Sequence, residues 1–203
     1  MPRKKPEKYQ TILEAALKVM AQHGYYRTRV SEIAREAGVA DGTVYLYFTK
    51  KEDILISLFR EMMESFVKDL EEELKHYPSF SGKLRFIINY HLETLSANQD
   101  RAMVTQIELR QCDAELGKKI FAPLSKYFQV IEEVIQYGQK TGEVRTEVDA
   151  RLARKIIFGS LDEVVTRWVM SQKKDYKLTR LTEPLFITLM QGVSTSPPPS
   201  QEG

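Results

Sequence analysis

The sequence predicts an all-α fold of about nine helices, of which the first three are short. Apolar residues recur at intervals of three and four along almost the whole chain, which is the period of a helix with one buried face. Glycine and proline are sparse between residues 7 and 193. No segment has the apolar-polar alternation that is typical of a half-buried strand.

The first helix is predicted over residues 7–23, because Gly24 follows it as a left-handed stop. An amphipathic helix of this kind needs a partner that covers its apolar stripe. The stripe consists of Ile12, Leu13, Ala16, Leu17 and Met20.

Residues 28–48 contain two short amphipathic pieces that flank Gly38. Two helices of about two turns each, joined by a short turn that starts with glycine, are typical of a helix-turn-helix motif. The inner faces are Ile33, Ala34 and Ala37 in the first piece, and Val44 and Phe48 in the second.

The fourth helix is predicted to start at Thr49, because Thr49 and Glu52 have the spacing of a capping box. One apolar seam then continues to about Lys75, so this helix is longer than the first three. Asp149 is expected to cap a later helix. The helices predicted after the fourth span residues 83–97, 101–111, 114–139, 149–171 and 178–192.

Charge is distributed unevenly along the chain. Thirty Lys and Arg residues oppose 28 Asp and Glu residues, and this net charge of +2 indicates no acidic partner by itself. Residues 1–51 carry 10 basic and 5 acidic side chains, a net of +5, which leaves 20 and 23 for the rest, a net of −3. The positive charge is therefore concentrated at the N-terminal end.

Composition also excludes several classes of protein. Cys112 is the single cysteine, which excludes an internal disulfide or a thiolate-rich metal site and favours a reducing, cytoplasmic location. Charges interrupt every apolar run before the roughly 18 to 20 residues of a membrane span, and Glu14 and Lys18 interrupt a signal-peptide pattern. Residues 194–203, with three consecutive prolines, are expected to be a disordered tail.

Residues 27–51 have the features that DNA binding requires, namely cations for phosphates and small or polar side chains at the exposed start of a helix. Gly42 and Thr43 can approach a base, while Tyr45 and Tyr47 can donate to phosphates. Two alternatives stay open: the charges are ordinary solvated surface, or the tyrosines are half-buried packing residues. The candidate DNA-contacting residues are Arg27, Thr28, Arg29, Ser31, Asp41, Gly42, Thr43, Tyr45, Tyr47, Lys50 and Lys51.

The string IAREAGVADGTVYLYFTKKEDIL at residues 33–55 resembles the signature of TetR-family transcriptional regulators. The resemblance implies a DNA-binding helix-turn-helix domain over residues 1–51 and a helical ligand-binding and dimerisation domain over residues 52–193. Ala40-Asp41 stands where many members have Ser and then a basic or polar residue, so we expect Asp41 to cap the recognition helix. The family places base and phosphate contacts on Thr28 to Ser31, Gly42, Thr43, Tyr45, Tyr47 and Lys51.

The resemblance further implies a homodimer bound to a palindromic double-stranded DNA operator. Gly159 and Ser160 permit the close helix approach that a dimer interface requires. A leucine stripe on the last helix has no obvious partner within the chain, which also favours burial against a second copy. The stripe is Leu178, Leu181, Leu185 and Leu189.

The helix predicted over residues 83–97 is apolar around most of its circumference, so it is expected to be buried on nearly all sides. Apolar side chains on this helix and others could line a narrow tunnel for a ligand. The alternative is that they form a solid core. The candidate tunnel residues are Phe86, Tyr90, Ile107, Leu124, Phe128 and Phe158.

Residues 40–59, 104–111 and 151–170 resemble the acyl-CoA-responsive TetR-family repressors of fatty-acid degradation genes. The resemblance implies a repressor that needs no cofactor and that long-chain acyl-CoA releases from DNA. The alternative is a TetR-type repressor of another regulon, such as drug efflux, with a different apolar ligand. The cations available for the CoA phosphates are Arg101, Arg110, Arg151 and Arg154, of which Arg110 joins the candidate ligand site.

An acyl-CoA or lipid carrier or enzyme with an incidental helix-turn-helix is another alternative, but catalysis is not expected from this sequence. His23, His76 and His91 are scattered, with no paired acid or nucleophile around them. No glycine-rich phosphate loop and no metal-ligand spacing is present in the sequence. A purely structural helical dimer stays open as a further alternative.

Overall fold

The computed structural model describes residues 7–110, 113–171 and 176–193, and its regular elements are all helical, which confirms the predicted fold class. The predicted tail, residues 194–203, and Cys112 lie outside the described residues. Two 3-10 turns, Leu74–His76 and Leu178–Leu181, precede the fifth and the tenth α-helix. The α-helices are α1 (Glu7–His23), α2 (Val30–Glu36), α3 (Asp41–Tyr45), α4 (Lys51–Glu73), α5 (Phe80–Ala97), α6 (Gln99–Glu108), α7 (Ala114–Phe121), α8 (Leu124–Thr141), α9 (Ala150–Met170) and α10 (Thr182–Val193).

The single helix predicted over residues 114–139 is in fact two helices. α7 ends at Phe121 and α8 begins at Leu124, with Pro123 between them. Proline has no N–H for the carbonyl four residues earlier, and its ring clashes with that carbonyl, so a helix is broken there. The prediction of one continuous helix was wrong because Pro123 interrupts it.

The start of α4 also differs from the prediction. The backbone amide of Lys50 donates to the carboxylate of Asp53 at 3.1 Å, so the residue that reaches back is Asp53 and not Glu52. Glu52 instead accepts a hydrogen bond from Lys119 of α7 at 2.9 Å and pairs with Lys50. These hydrogen bonds, from Lys50 first and then from Lys119, lower the pKa of Glu52.

Carboxylates cap two of the long helices. Asp149 accepts a hydrogen bond from the amide of Leu152 at 2.7 Å, which confirms the predicted cap of α9. α5 begins at Phe80, earlier than predicted, because Glu143 accepts hydrogen bonds from the amides of Phe80 and Ser81 at 2.8 and 3.3 Å. A negative charge at this position also interacts favourably with the helix dipole.

The described residues divide into two compact units. The first contains the described residues up to Ser65 together with those of Asn98–Leu124. Its core joins the inner faces of the short N-terminal helices to residues of α4, α6 and α7. Ile12, Ile33 and Val44 are fully buried there, which confirms the inner faces predicted for α1, α2 and α3.

The second unit contains Phe66–Ala97 and the described residues from Ser125 onward. α5 packs against α9, α10 and the Leu178–Leu181 turn. Leu84, Ile88 and Leu92 are at most 1% exposed. Arg85 and Glu93 of the same helix are exposed, so the prediction of burial on nearly all sides is confirmed only for the apolar face.

The leucine stripe of the last helix has a partner within the chain, so the prediction of an uncovered stripe was wrong. Leu178 is fully buried and Leu189 is 8% exposed. The Leu178–Leu181 turn and α10, which carry the stripe, both pack against α5. Other apolar side chains of α9 and α10 are exposed instead. They are Leu152, Ile156, Met170 and Ile187, with exposed fractions of 57%, 54%, 60% and 48%.

Candidate functional site

α2 and α3 form the predicted helix-turn-helix. Gly38 lies in the turn with a left-handed φ of 67°, a conformation that a residue without a Cβ adopts readily. The amide of Arg29 donates to the Glu32 carboxylate at 2.8 Å and closes the start of α2. Ala40 is the N-cap residue of α3, which has no side-chain cap, so the expectation that Asp41 caps this helix was wrong. Asp41 lies in the first turn, where its charge favours the helix dipole.

Most of the predicted DNA-contacting side chains lie on the surface of this segment. Tyr45 is 55% exposed. A Cβ at Gly42 would have no atom within 4 Å, so the first turn of α3 is open to close approach. Tyr47 is half-buried, with its ring centroid 6.4 Å from that of Tyr9. The exposed members of the predicted set are Arg27, Arg29, Ser31, Asp41, Gly42, Tyr45 and Lys50, and the half-buried ones are Thr43, Tyr47 and Lys51.

Thr28 is the buried member of the predicted set. Its side chain is only 2% exposed, and its hydroxyl donates to the carbonyl of Gly24 at 2.9 Å. The hydroxyl proton is therefore used inside the chain. Thr28 shapes the loop between α1 and α2 from within.

The ammonium group of Lys51 is also occupied within the chain. Its Nζ donates to the carbonyls of Tyr25, Tyr26 and Thr28 at 2.7, 3.1 and 2.9 Å, which accounts for all three of its N–H donors. The same nitrogen lies 4.5 Å from the ring centroid of Tyr25. Burial lowers the pKa of Lys51, and the charge of Glu108 opposes that shift. Lys51 thus holds the loop that leads into α2.

A residue of α6 provides the acceptor for a backbone N–H group of the same loop. Glu108, the last residue of α6, is 3% exposed, and its carboxylate accepts a hydrogen bond from the amide of Tyr25 at 2.8 Å. One ammonium and one carboxylate therefore fix the loop from two helices of the first unit. The sequence carries no local signal for this arrangement, because 83 residues separate Glu108 from Tyr25.

Two exposed residues of this surface are missing from the predicted set. Leu46 is 81% exposed and Tyr26 is 65% exposed. The helical period could have identified Leu46, since a residue midway between the inward-facing Val44 and Phe48 points away from the core. An exposed leucine beside Tyr45 gives the end of α3 an apolar contact surface.

The predicted tunnel residues fall in both units. Ile107, Arg110 and Leu124 belong to the first unit, and the four aromatic residues belong to the second. In the second unit, the ring centroids of Phe86 and Tyr90 are 5.6 Å apart, and those of Phe128 and Phe158 are 4.8 Å apart. The structure therefore brings these four residues together as two ring pairs.

Three residues that the sequence did not single out as tunnel residues join the two pairs. Phe66 lies 4.8 Å from Tyr90 and 5.1 Å from Tyr127, measured between ring centroids. Tyr127 in turn lies 6.2 Å from Phe158. His91 contacts Phe66, Tyr127 and Phe158. We call these seven residues the aromatic cluster: Phe66, Phe86, Tyr90, His91, Tyr127, Phe128 and Phe158.

The cluster contains a buried polar pair. His91 and Tyr127 are 7% and 1% exposed, and Nδ1 of His91 lies 3.1 Å from the hydroxyl of Tyr127. Burial lowers the pKa of His91 to about 4 and raises that of Tyr127, so both side chains are neutral near pH 7. Nε2 of His91 is buried and has no hydrogen-bond partner among the described residues.

The four arginines considered for phosphates have different surroundings. Arg154 lies 4.5 Å over the ring of Phe128 and donates to Glu132 at 3.2 Å, which places a cation at the edge of the aromatic cluster. Arg110 donates to the carbonyl of Gln106, one turn earlier. Arg151 is exposed. Nε of Arg101 is buried without a hydrogen-bond partner in the described part of the chain.

The described ranges contain neither a metal site nor a membrane-spanning helix. No group of three or more His, Cys, Asp or Glu side chains there could hold a metal ion. None of the helices described is both long and apolar enough to span a bilayer.

Family models match almost the whole chain. The model for bacterial regulatory proteins of the tetR family matches residues 12–58, and that for the C-terminal region of YsiA-like proteins matches residues 59–192. A relative from Bacillus subtilis (strain 168), named fatty acid metabolism regulator protein, is 44% identical over 193 residues. That alignment covers 95% of this chain and 98% of the relative.

Two solved structures extend the comparison. The fatty acid degradation regulator FadR from Bacillus halodurans has a TM-score of 0.90 and 46% identity, and the match covers 94% of this chain and 98% of that one. The transcriptional regulator FadR from Bacillus subtilis, in complex with stearoyl-CoA, has a TM-score of 0.88 and 43% identity. That match covers 91% of this chain and 99% of the other.

Proposed function

The chain belongs to the tetR family of bacterial regulatory proteins, and on that premise we propose that it represses fatty-acid degradation genes until long-chain acyl-CoA releases it from its operator. One observation carries this proposal: the identity of 44% to a fatty acid metabolism regulator extends over 95% of the chain. A related structure that holds stearoyl-CoA supports the effector class. The proposal includes no catalytic step and no cofactor. Its place of action is the cytoplasm, where bacterial DNA lies.

Residues 1–51 are the proposed DNA-binding domain, with α3 as the recognition helix. Gly42 and Thr43 meet base edges at the open first turn of α3, and Tyr45 donates to a phosphate. The exposed Arg27, Arg29, Ser31 and Lys50 supply further backbone contacts. Asp41 is an acidic residue near the DNA phosphates, so it sharpens selectivity and does not add affinity. Thr28, Tyr47 and Lys51 contribute mainly by holding this surface in place.

Residues 52–193 are the proposed ligand-binding and dimerisation domain. The exposed apolar residues of α9, Leu152 and Ile156, recur at the helical period with Gly159, where a Cβ would have no atom within 4 Å. Burial of this face against a second copy removes apolar surface from water. A two-fold dimer presents two recognition helices to the half-sites of a palindromic operator.

Long-chain acyl-CoA is the proposed effector. Its chain needs an apolar lining, which the aromatic cluster supplies, and its CoA phosphates need a cation such as Arg154, which lies over the ring of Phe128. The predicted Ile107, Leu124 and Arg110 belong to the first unit and stay predictions. α4 contributes residues to both compact units, so it is the proposed mechanical link between effector and operator binding. By linkage, operator DNA must weaken acyl-CoA binding by the same factor as acyl-CoA weakens operator binding.

Selection of bound sequences from random DNA, repeated with and without stearoyl-CoA, tests the proposal. We expect a palindromic sequence to be enriched, and we expect stearoyl-CoA to abolish the enrichment. The measured affinity of stearoyl-CoA should fall when operator DNA is present, and equal affinities would contradict the two-state mechanism.

A thermal-shift screen separates the proposal from a repressor of another regulon. Long-chain acyl-CoA should raise the melting temperature in a concentration-dependent way, because it binds the folded state. Stabilisation by cationic dyes, with no shift on acyl-CoA, would favour a drug-efflux repressor instead. Absence of any salt-dependent DNA binding would favour a purely structural helical dimer.

A further inference from the structure

His91 holds a hydrogen-bonding group in surroundings that are otherwise aromatic. Its ring stacks on Tyr127 at 5.8 Å and 23°, and it meets Phe66 and Phe158 edge-on at 6.2 and 6.4 Å. The side chain is 7% exposed, and its Nε2 has no hydrogen-bond partner in the described ranges. Buried polar atoms are almost always hydrogen-bonded in folded proteins, so an unpaired nitrogen here needs an explanation.

The Tyr127 hydroxyl defines which nitrogen of His91 carries the proton. Tyr127 is 1% exposed, and Nδ1 of His91 is the one hydrogen-bond partner of its hydroxyl within the described part of the chain. We assign the phenolic proton to a hydrogen bond with Nδ1, because this assignment leaves no buried hydroxyl proton without an acceptor, and the proton of the neutral ring is then placed on Nε2. The unpaired group is consequently an N–H donor, which requires an oxygen acceptor.

The position of His91 relates this donor to the proposed effector. Phe66 and Phe158, which contact His91, also contact Tyr90 and Phe128, which are two of the proposed lining residues. His91 therefore lies between the two halves of the lining in the second unit. A ligand that enters this cluster brings its polar atoms close to Nε2 of His91.

We infer that Nε2–H of His91 donates a hydrogen bond to the thioester carbonyl oxygen of the acyl-CoA effector. The inference rests on the proposed function and identifies the residue that recognises the carbonyl end of the chain. The acyl moiety of a saturated acyl-CoA offers this one acceptor between its hydrocarbon chain and the CoA portion. A neutral imidazole suits a neutral carbonyl, whereas the carboxylate of a free fatty acid would bring an uncompensated charge into the cluster.

The test compares stearoyl-CoA with S-octadecyl-CoA, a thioether of equal chain length that lacks the carbonyl. Titration calorimetry on the full chain gives the affinity of each. We expect the wild type to prefer the thioester by about fivefold to tenfold, the ratio for one net hydrogen bond. In His91→Phe, which keeps an aromatic ring in place, this preference should fall to about twofold or less. Phe66→Leu is the matched control and should weaken both ligands equally.

The outcomes separate this inference from the proposed function. Equal affinity of the wild type for both ligands would overturn the inference, with a buried water as the partner of Nε2, while acyl-CoA binding itself would stand. Failure of the wild type to bind either ligand would overturn the proposed function. If His91→Phe does not fold, the side-chain N–H signal of His91 in wild-type NMR spectra decides. A shift with stearoyl-CoA and none with the thioether supports the inference, and equal shifts contradict it.

Discussion

The carboxylate of Glu108 accepts a hydrogen bond from the backbone amide of Tyr25 at 2.8 Å, across 83 residues of sequence. From the other side, the ammonium of Lys51 donates to the Tyr25 carbonyl at 2.7 Å. The backbone N–H and C=O groups of Tyr25 are thus both hydrogen-bonded to charged side chains, one from α6 and one from α4. Because Arg27 and Arg29 follow on the same loop, the geometry of the proposed DNA surface depends on these two buried contacts.

Glu108→Ala should lower both stability and operator affinity. The substitution leaves the buried Tyr25 amide without its acceptor, which costs about 1 to 3 kcal/mol in the free energy of unfolding. Urea denaturation measures this loss. The control is Glu115→Ala, because Glu115 lies in a surface ion pair with Lys118 and its side chain is 74% exposed. A stability loss as small as that of the control would contradict a structural role for Glu108.

Lys51→Met should weaken operator binding without changing its salt dependence. Lys51 donates to three carbonyls, so its loss disturbs the loop but removes no phosphate contact. Arg29→Ala is the contrasting variant, since the exposed arginine should reduce the slope of log affinity against log salt by about one phosphate contact. Operator titrations at several salt concentrations measure both slopes. A reduced slope for Lys51→Met would show that Lys51 contacts a phosphate after all.

Ile156→Glu should convert the proposed dimer to monomers. The side chain of Ile156 is 54% exposed in the single chain, and a charge there would be buried without a partner in the dimer. Analytical ultracentrifugation should show the shift in mass, and operator affinity should fall with it. The neighbouring exposed Lys155, changed to Gln, is the control, because it lowers the net charge by the same one unit. A dimer that survives Ile156→Glu would place the interface on another face.

His91 should make folding stability fall as the pH drops below about 6.5. Burial lowers the pKa of His91 from 6.5 to about 4, so the unfolded chain takes up a proton in this window before the folded chain does. The resulting loss is complete near pH 4 and amounts to about 3 kcal/mol. Urea denaturation of the wild type and of His91→Phe at pH 7.5, 5.5 and 4.5 measures the difference. Parallel pH profiles of the two proteins would contradict the lowered pKa.

Local patterns predicted the helices well, since periodicity and caps act within one turn. Asp149 caps a residue three positions later, and the sequence alone identified it. Pro123 also carries a local signal, and the break between α7 and α8 could have been predicted from it. The inner faces of α1 to α3 followed from the same period, and the structure confirms them.

Long-range contacts account for most of what the sequence did not reveal. Glu143 caps α5 from 63 residues away, and no local pattern predicts such a cap. Lys51 follows a motif that favours a phosphate contact, while its carbonyl partners lie at least 23 residues away. His91 has no local partner in the sequence, because Tyr127, with which it pairs, follows 36 residues later. The leucine stripe of residues 178–189 likewise has no local partner, because α5, which packs against it, is distant in sequence.

The cap that Glu143 provides for α5 also has a consequence for the order of folding. A ribosome makes the chain from its N-terminus, so α5 emerges well before the carboxylate that binds its first two amides. Until residue 143 has been synthesised, these amides are left to water, and the first turn of α5 is not fixed. The first turn of α5 is therefore completed only after α8 has been translated.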